Sequence, residues 1–324
     1  MDNSTTSAAL ARIRASVASV VVGKEQALEQ LLVALLCRGH ALLEDVPGVG
    51  KTLLARSLAT VSGASFGRIQ FTPDVLPSDV TGSSVYNQRT SEFEFRAGPV
   101  FTQVLLADEI NRATPRTQAA LLEAMEERQV TVDGETRPLP EPFFVVATQN
   151  PIDLEGTFPL PEAQLDRFLV RVDLGYPSLE EEHAILLRYE HANPLDSLVA
   201  VSSPAEITAL QAARSDVVVA DEVRGYLLAV VRATREDPRV QLGASPRAAL
   251  ALHRAVQAKA LLSGRNYAIP DDVKALAEPV LAHRLVLSAQ ARVRGTTQAE
   301  VVGAVLDALA VPVEDVDPMA PAAR

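Results

Sequence analysis

Short runs of consecutive apolar residues alternate with helix-period stretches in the first half of the chain, which predicts a layered α/β fold. Ala41 to Glu44, Gly67 to Phe71, Val104 to Asp108, Phe143 to Thr148 and Phe168 to Leu174 read as strands buried on both faces. Between them, Lys51 to Thr60 and Thr114 to Arg128 carry apolar positions at three- and four-residue spacing. The resulting βα units imply a doubly wound parallel sheet of five strands. After Tyr176-Pro177 the pattern changes. Ser178/Glu181, Ser203/Glu206 and Thr297/Glu300 are capping-box pairs, and Asp221 to Arg235, Pro246 to Leu262 and Pro270 to Arg284 have helix periodicity. The pattern predicts an α/β domain over 1–176, an all-helical domain over 177–310 and a disordered tail over 311–324.

Composition supports that division. All nine phenylalanines lie between Phe66 and Phe168, and 324 residues suffice for two cores. The 30 basic against 41 acidic residues give a net charge of −11, so no whole-protein positive field gathers nucleic acid or anionic lipid. The single cysteine, Cys37, falls in an apolar helical stretch and reads as a buried thiol in a reducing compartment. No apolar run approaches the roughly 18 residues of a membrane span, and the first residues lack an export signal, so a cytoplasmic location is expected. The five histidines show no metal-ligand spacing.

The most specific chemistry lies at Asp45-Val46-Pro47-Gly48-Val49-Gly50-Lys51-Thr52, between a predicted strand and a predicted helix. That context is the one a phosphate-binding loop requires: glycines let the backbone wrap the anion, amides at the helix start point at it, and Lys51 adds a charge for the β- and γ-phosphates. Thr52 is then a Mg²⁺ ligand. Asp45 replaces the first glycine of the pattern, and its carboxylate must face away from a triphosphate for binding to survive.

Val104 to Glu109 is an apolar strand ending in two acids. Beside a phosphate loop, Asp108 reads as a Mg²⁺ ligand through water and Glu109 as the base for an attacking water. Alone, the pair could equally be a strand running into an acidic loop. Asn150, ending the strand in Val145 to Pro151, is placed to hold that water or the γ-phosphate, although Asn-Pro is also a common turn. Arg167 precedes the fifth strand, and Arg247 lies in the first turn of a helix capped by Ser245, where a cation opposes the helix dipole. Each arginine could otherwise be an ordinary surface ion pair.

Taken in order, these features resemble an AAA+ ATPase, and Asp108 to Ala113, Leu121 to Val130, Ala147 to Pro151 and Pro161 to Phe168 resemble the MoxR family within it, over about Val22 to Ala310. The resemblance implies an ATP and Mg²⁺ site in which Pro47, Gly48, Val49, Gly50, Lys51, Thr52 and Leu53 form Walker A and Asp108 and Glu109 form Walker B. Asn150 is then sensor 1, Arg167 the arginine finger and Arg247 sensor 2, with Val21, Val22 and Gly23 near the adenine. It also implies an insert over about 79–99, a hairpin over about 129–140 around Asp133-Gly134, and substrate contact through Tyr86, Arg89 and the hairpin tip. A homo-oligomeric ring, most simply a hexamer, is expected, with Arg247 sensing the nucleotide and moving the lid. The ring would remodel or mature a client protein, for instance by metal-cofactor insertion, often beside a von Willebrand A domain partner. A nucleic-acid motor is the alternative; four lysines weigh against it and 26 arginines leave room for it. A small-molecule kinase fits less well, because no second-substrate motif is present.

Overall fold

The computed structural model describes residues 3–46, 48–150, 156–190 and 193–312; Pro47, Pro151 and residues 313–324 of the expected tail lie outside them. Helices α1 (Asn3–Ala18) and α2 (Glu25–Leu36) precede β1 (Ala41–Glu44), α3 (Lys51–Val61) and β2 (Phe66–Gln70). A short α4 (Pro77–Thr81) leads into the hairpin β3 (Gly82–Asn87) and β4 (Glu92–Ala97), followed by β5 (Val104–Asp108) and α5 (Pro115–Glu127). A second hairpin, β6 (Gln129–Val132) and β7 (Glu135–Pro138), then β8 (Phe144–Gln149), α6 (Glu162–Leu165) and β9 (Val170–Val172), complete the α/β part. The remainder is α7 (Leu179–Tyr189), α8 (Pro204–Ala213), α9 (Asp221–Glu236), β10 (Val240–Leu242), α10 (Pro246–Leu262), α11 (Pro270–Leu281), β11 (Val286–Leu287), α12 (Ala289–Val293) and α13 (Gln298–Ala308).

The five-stranded sheet is parallel, in the order β2-β5-β8-β1-β9. The uninterrupted apolar runs β5, β8 and β1 take its centre, since they have no polar face to turn to water. Their register sets Gln70 opposite Asp108 and Glu44 opposite Gln149, so the carboxyl ends reach one edge together, where ligands of open α/β sheets bind. Side chains alternate between two cores: Leu106 and Val146 face the one shared with α1, α2, α3 and the lid helices, and Leu105, Ala107, Val145 and Ala147 face the one under α5.

The helical lid differs from the sequence expectation in three places. Residues Val240 and Leu287, 47 positions apart, pair in the antiparallel ladder β10–β11, so the lid is not purely helical. The helix expected to run to Arg284 stops at Leu281, and a 3₁₀ turn, Ala282–Arg284, swings Arg284 toward the sheet. Of the three capping boxes, the one at Ser203 is half made. Its hydroxyl accepts from the Glu206 amide at 3.2 Å, but the Glu206 carboxylate is taken by Arg12 at 3.1 Å and the Ser202 hydroxyl at 2.7 Å. The Ser178 and Thr297 boxes are complete.

Two buried histidines make the fold acid-sensitive. The Val145 amide donates to His40 Nδ1 at 3.0 Å, so Nε2 carries the proton and donates to the Met125 carbonyl at 3.0 Å; the bond accepted at Nδ1 requires the neutral ring. Burial, with Arg128 nearby, pushes His40 down to about 3, and burial beside Arg284 pushes His283 well below its usual value. Only the unfolded chain takes up these protons below pH ~6.5, so the stabilisation is whole above that pH and falls with acidification, on the order of 1 kcal/mol per pH unit for each ring. Thermal melts should therefore drop steadily between pH 6.5 and pH 5; an unchanged melting temperature over that window would contradict this. Cys37 is buried, and desolvation pushes its thiol up to about 12, consistent with an inert packing role.

Candidate functional site

The turn from β1 into α3 is built by two glycines at positive φ, Gly48 at 87° and Gly50 at 96°. A Cβ at either would meet nothing within 4 Å, so the glycines serve the backbone conformation and the space in front of them is open. Helix α3 starts at Lys51 and presents its first amides to that space. The Lys51 ammonium donates to the backbone carbonyl of Asp45 at 2.5 Å and to that of Gln149 at 3.5 Å. Burial pulls this amine below its usual value, opposed by Asp45, Asp108 and Glu109. Gly48, Gly50, Lys51, Thr52 and Leu53 line a groove of about 420 Å³ together with Arg68, Asp108, Glu109, Thr148 and Asn150.

Beside it, and sharing Gly48, Gly50 and Leu53, lies a more apolar pocket of about 350 Å³ between Val20, Val21, Val22 and Val49 on one side and Tyr176, Ile185 and Tyr189 on the other. This shape suits a flat base joined to a phosphate chain. Gly23 is not among the lining residues; Lys24 is. With φ at 67°, Gly23 makes room for Glu181, whose carboxyl carbon would lie 2.1 Å from a Cβ there.

At the end of β5, Thr148 organises both acids. Its hydroxyl donates to Asp108 Oδ1 at 2.6 Å and accepts from the Glu109 amide at 2.8 Å. Arg68 on β2, a residue with no motif around it, donates to Asp108 Oδ2 at 2.7 Å. Glu109 sits in the left-handed region, φ 58° and ψ 49°, a conformation disfavoured for a glutamate and common where function demands it. Its carboxylate pairs with Arg112 at 3.1 Å.

Arg167 and Arg247 lie elsewhere. Both pair with Glu126 at the end of α5, Arg167 through Nε at 3.0 Å and Arg247 through Nη2 at 2.9 Å, and Arg247 Nε approaches Asp166 at 3.9 Å. They line a groove of about 600 Å³ with Gly39 and His40, at the amino-terminal edge of the sheet, whose lining shares no residue with the phosphate groove. The four residues of β1, at ~3.3 Å each, put roughly 13 Å between the two edges. Arg247, expected to sense the nucleotide, therefore does not face its own chain's phosphate loop. At the same edge the end of α11 is tied to the chain before β9 by Arg284, a buried side chain just past α11 that donates to Asp166 Oδ1 at 2.6 Å and to the Phe168 carbonyl at 2.7 Å. Sequence pattern gives Arg284 and Arg68 no signal, and it gives no role to Glu126 or Thr148 although both fall in stretches that carry the family resemblance, because each matters through a partner distant along the chain.

Comparisons with known proteins agree with this architecture. The profile of the "ATPase family associated with various cellular activities (AAA)" matches residues 40–170, and that of the AAA lid domain matches 232–304. The chain is 52% identical to the uncharacterized protein YeaC of Bacillus subtilis, over 91% of this chain and 92% of that one. It is 45% identical to Chaperone MoxR1 of Mycobacterium tuberculosis, over 90% and 80%, and 32% identical to Protein MoxR of Methylorubrum extorquens, over 86% and 88%. A crystal structure from Cytophaga hutchinsonii superposes with a TM-score of 0.90 at 36% identity, covering 96% of this chain and 97% of that one. Among the described residues no helix is long and apolar enough to cross a membrane. A nucleotide-binding AAA domain followed by a helical lid, shared along most of the length with proteins of that name, makes this chain a member of the MoxR family of AAA ATPases.

Proposed function

We propose that the protein hydrolyses ATP at the seams of a homo-oligomeric ring, most simply a hexamer, and uses lid motion to remodel a partner protein. The observation that carries this reading is the separation of the arginines from the phosphate groove. One edge of the subunit holds Lys51, Thr52, Asp108, Glu109 and Asn150 without either arginine, and the other holds Arg167 and Arg247 without a phosphate loop. The second groove gathers seven arginines against Glu126 and Asp166, which favours a polyanion such as a neighbour's triphosphate. A head-to-tail ring joins the two edges at every seam.

Within the seam, Val21 and Val22 pack the base, and the Gly48, Val49 and Gly50 turn and Lys51 take the phosphates. Thr52 and Asp108 offer the hydroxyl and carboxylate oxygens that a hard divalent cation prefers, and Arg68 already gives Asp108 a cationic partner. Mg²⁺ bound there would neutralise charge between the β- and γ-phosphates. Glu109 takes the proton of the attacking water, Asn150 orients that water, and Arg167 and Arg247 of the next subunit stabilise the charge that develops.

Helix α7 supports assembly. It buries no residue and leaves Leu179 and Leu186 exposed at 77% and 72%, beside the base pocket. Turnover per chain should fall on dilution, and Leu186→Glu should move that fall to higher protein concentration. A rate per chain independent of dilution, from a particle that sediments as a monomer, would overturn the shared site. The name Chaperone MoxR1 on a relative supports a protein client for this chain, with a von Willebrand A domain partner and metal-cofactor insertion as the specific form to test by retrieving the client with Glu109→Gln protein.

A further inference from the structure

Asp45 stands where the loop pattern has glycine, yet its backbone is not among those at positive φ, so conformation does not ask for glycine there. Its carboxylate is turned away from the phosphate groove. Oδ1 accepts from the Val46 amide at 2.7 Å, and Oδ2 accepts from the amides of Leu174 at 2.7 Å and Gly175 at 2.6 Å. Those two residues are the connection from β9 to α7. Their carbonyl oxygens are held as well, by the buried Lys24 ammonium at 2.8 and 3.0 Å. The connection is thus gripped on its donors by the exit of β1 and on its acceptors by the start of α2.

The other end of the same residue holds the loop lysine. The Asp45 carbonyl is the nearer of the two oxygens that receive the Lys51 ammonium. Any anion that draws this ammonium toward the groove removes a hydrogen bond from Asp45, whose side chain is fixed to the route into the lid. Three residues beyond Gly175, Ser178 caps α7, the helix that contributes Ile185 and Tyr189 to the base pocket.

We propose that Asp45 is a positioning residue that makes the sheet-to-lid connection part of the nucleotide site, transmitting phosphate capture by Lys51 to α7. This rests on the ATPase reading above. A charged acceptor of three amides holds a backbone segment more firmly than water does, and glycine would release both linker amides while leaving Gly48, Gly50 and Lys51 in place.

The test compares wild-type protein with Asp45→Gly, which restores the loop's glycine, and with Asp45→Asn, which keeps one acceptor oxygen. ADP and ATPγS affinity, kcat and KM for ATP, and amide hydrogen exchange over residues 174–190 with and without nucleotide are measured. In wild-type protein, nucleotide should change exchange across α7. Asp45→Gly should bind ADP within about threefold of wild type, lose that exchange response and lower kcat by about tenfold or more, with Asp45→Asn between the two. An unresponsive α7 in the wild type, or an Asp45→Gly protein with normal kcat and a normal response, would overturn the proposal. So would a folded Asp45→Gly protein that no longer binds ADP, since Asp45 would then shape the loop itself. If Asp45→Gly does not fold, Asp45→Asn decides by the same criteria. A wild-type protein that turns over no ATP at any concentration would instead remove the reading beneath the proposal.

Discussion

Arg167→Ala should lower ATP turnover by roughly 10³ to 10⁵ while leaving ATP affinity nearly unchanged, the loss expected of an arginine that acts only on developing phosphate charge. The side chain lies at the amino-terminal edge of the sheet, bound to Glu126, and its neighbours Asp166 and Phe168 are held by the buried Arg284. It makes no contact with the phosphate groove of its own subunit, so removing it leaves Lys51, Thr52 and the base pocket intact. The decisive measurement is complementation. In an equal mixture of Arg167→Ala and Glu109→Gln protein, roughly one seam in four combines a native Glu109 with a native Arg167 from the neighbour. Activity should reappear on mixing. If two folded variants that form mixed oligomers recover nothing, the arginine is not shared across a seam.

Glu109→Gln should lower turnover by about 10² to 10⁴ and convert the protein into a trap that retains ATP. The amide keeps the shape of the side chain, and the backbone can stay in its left-handed conformation because the Glu109 amide remains bound to Thr148. What is lost is proton acceptance. In the structure the carboxylate is paired with Arg112, so it must turn from that partner toward the water, and the glutamine variant separates this chemical role from a packing role. Single-turnover hydrolysis with bound nucleotide quantified after gel filtration gives the answer; full hydrolysis by Glu109→Gln would assign the base elsewhere.

Much of the nucleotide side is legible in the order of residues. The loop glycines, Lys51 and Thr52 lie within a few residues of one another, and the strands that lead to Asp108 and Asn150 announce themselves by apolar runs closed by polar residues. Asp133-Gly134 also declares its hairpin, where the structure has Asp133 at φ 53° and Gly134 at φ 82°. The ladder β10–β11 is not legible in this way, because three- and two-residue strands carry no period to detect.

The sheet strands, the main helices and the acids and amide at or just past the ends of β5 and β8 thus follow from the order of residues, since capping, periodicity and glycine turns act within one or two turns of chain. Which distant groups meet follows only from the folded arrangement. Asp45 binds amides 129 and 130 residues away, Arg284 reaches Asp166 across 118, and Arg247 joins Glu126 across 121. Such pairings come from how the lid and α1 pack on the sheet, a sum of many apolar contacts in one shared core that no local pattern encodes. That packing puts Arg247 beside Arg167 instead of above its own phosphate loop, so the arginine groove and the phosphate groove lie at different edges of the sheet.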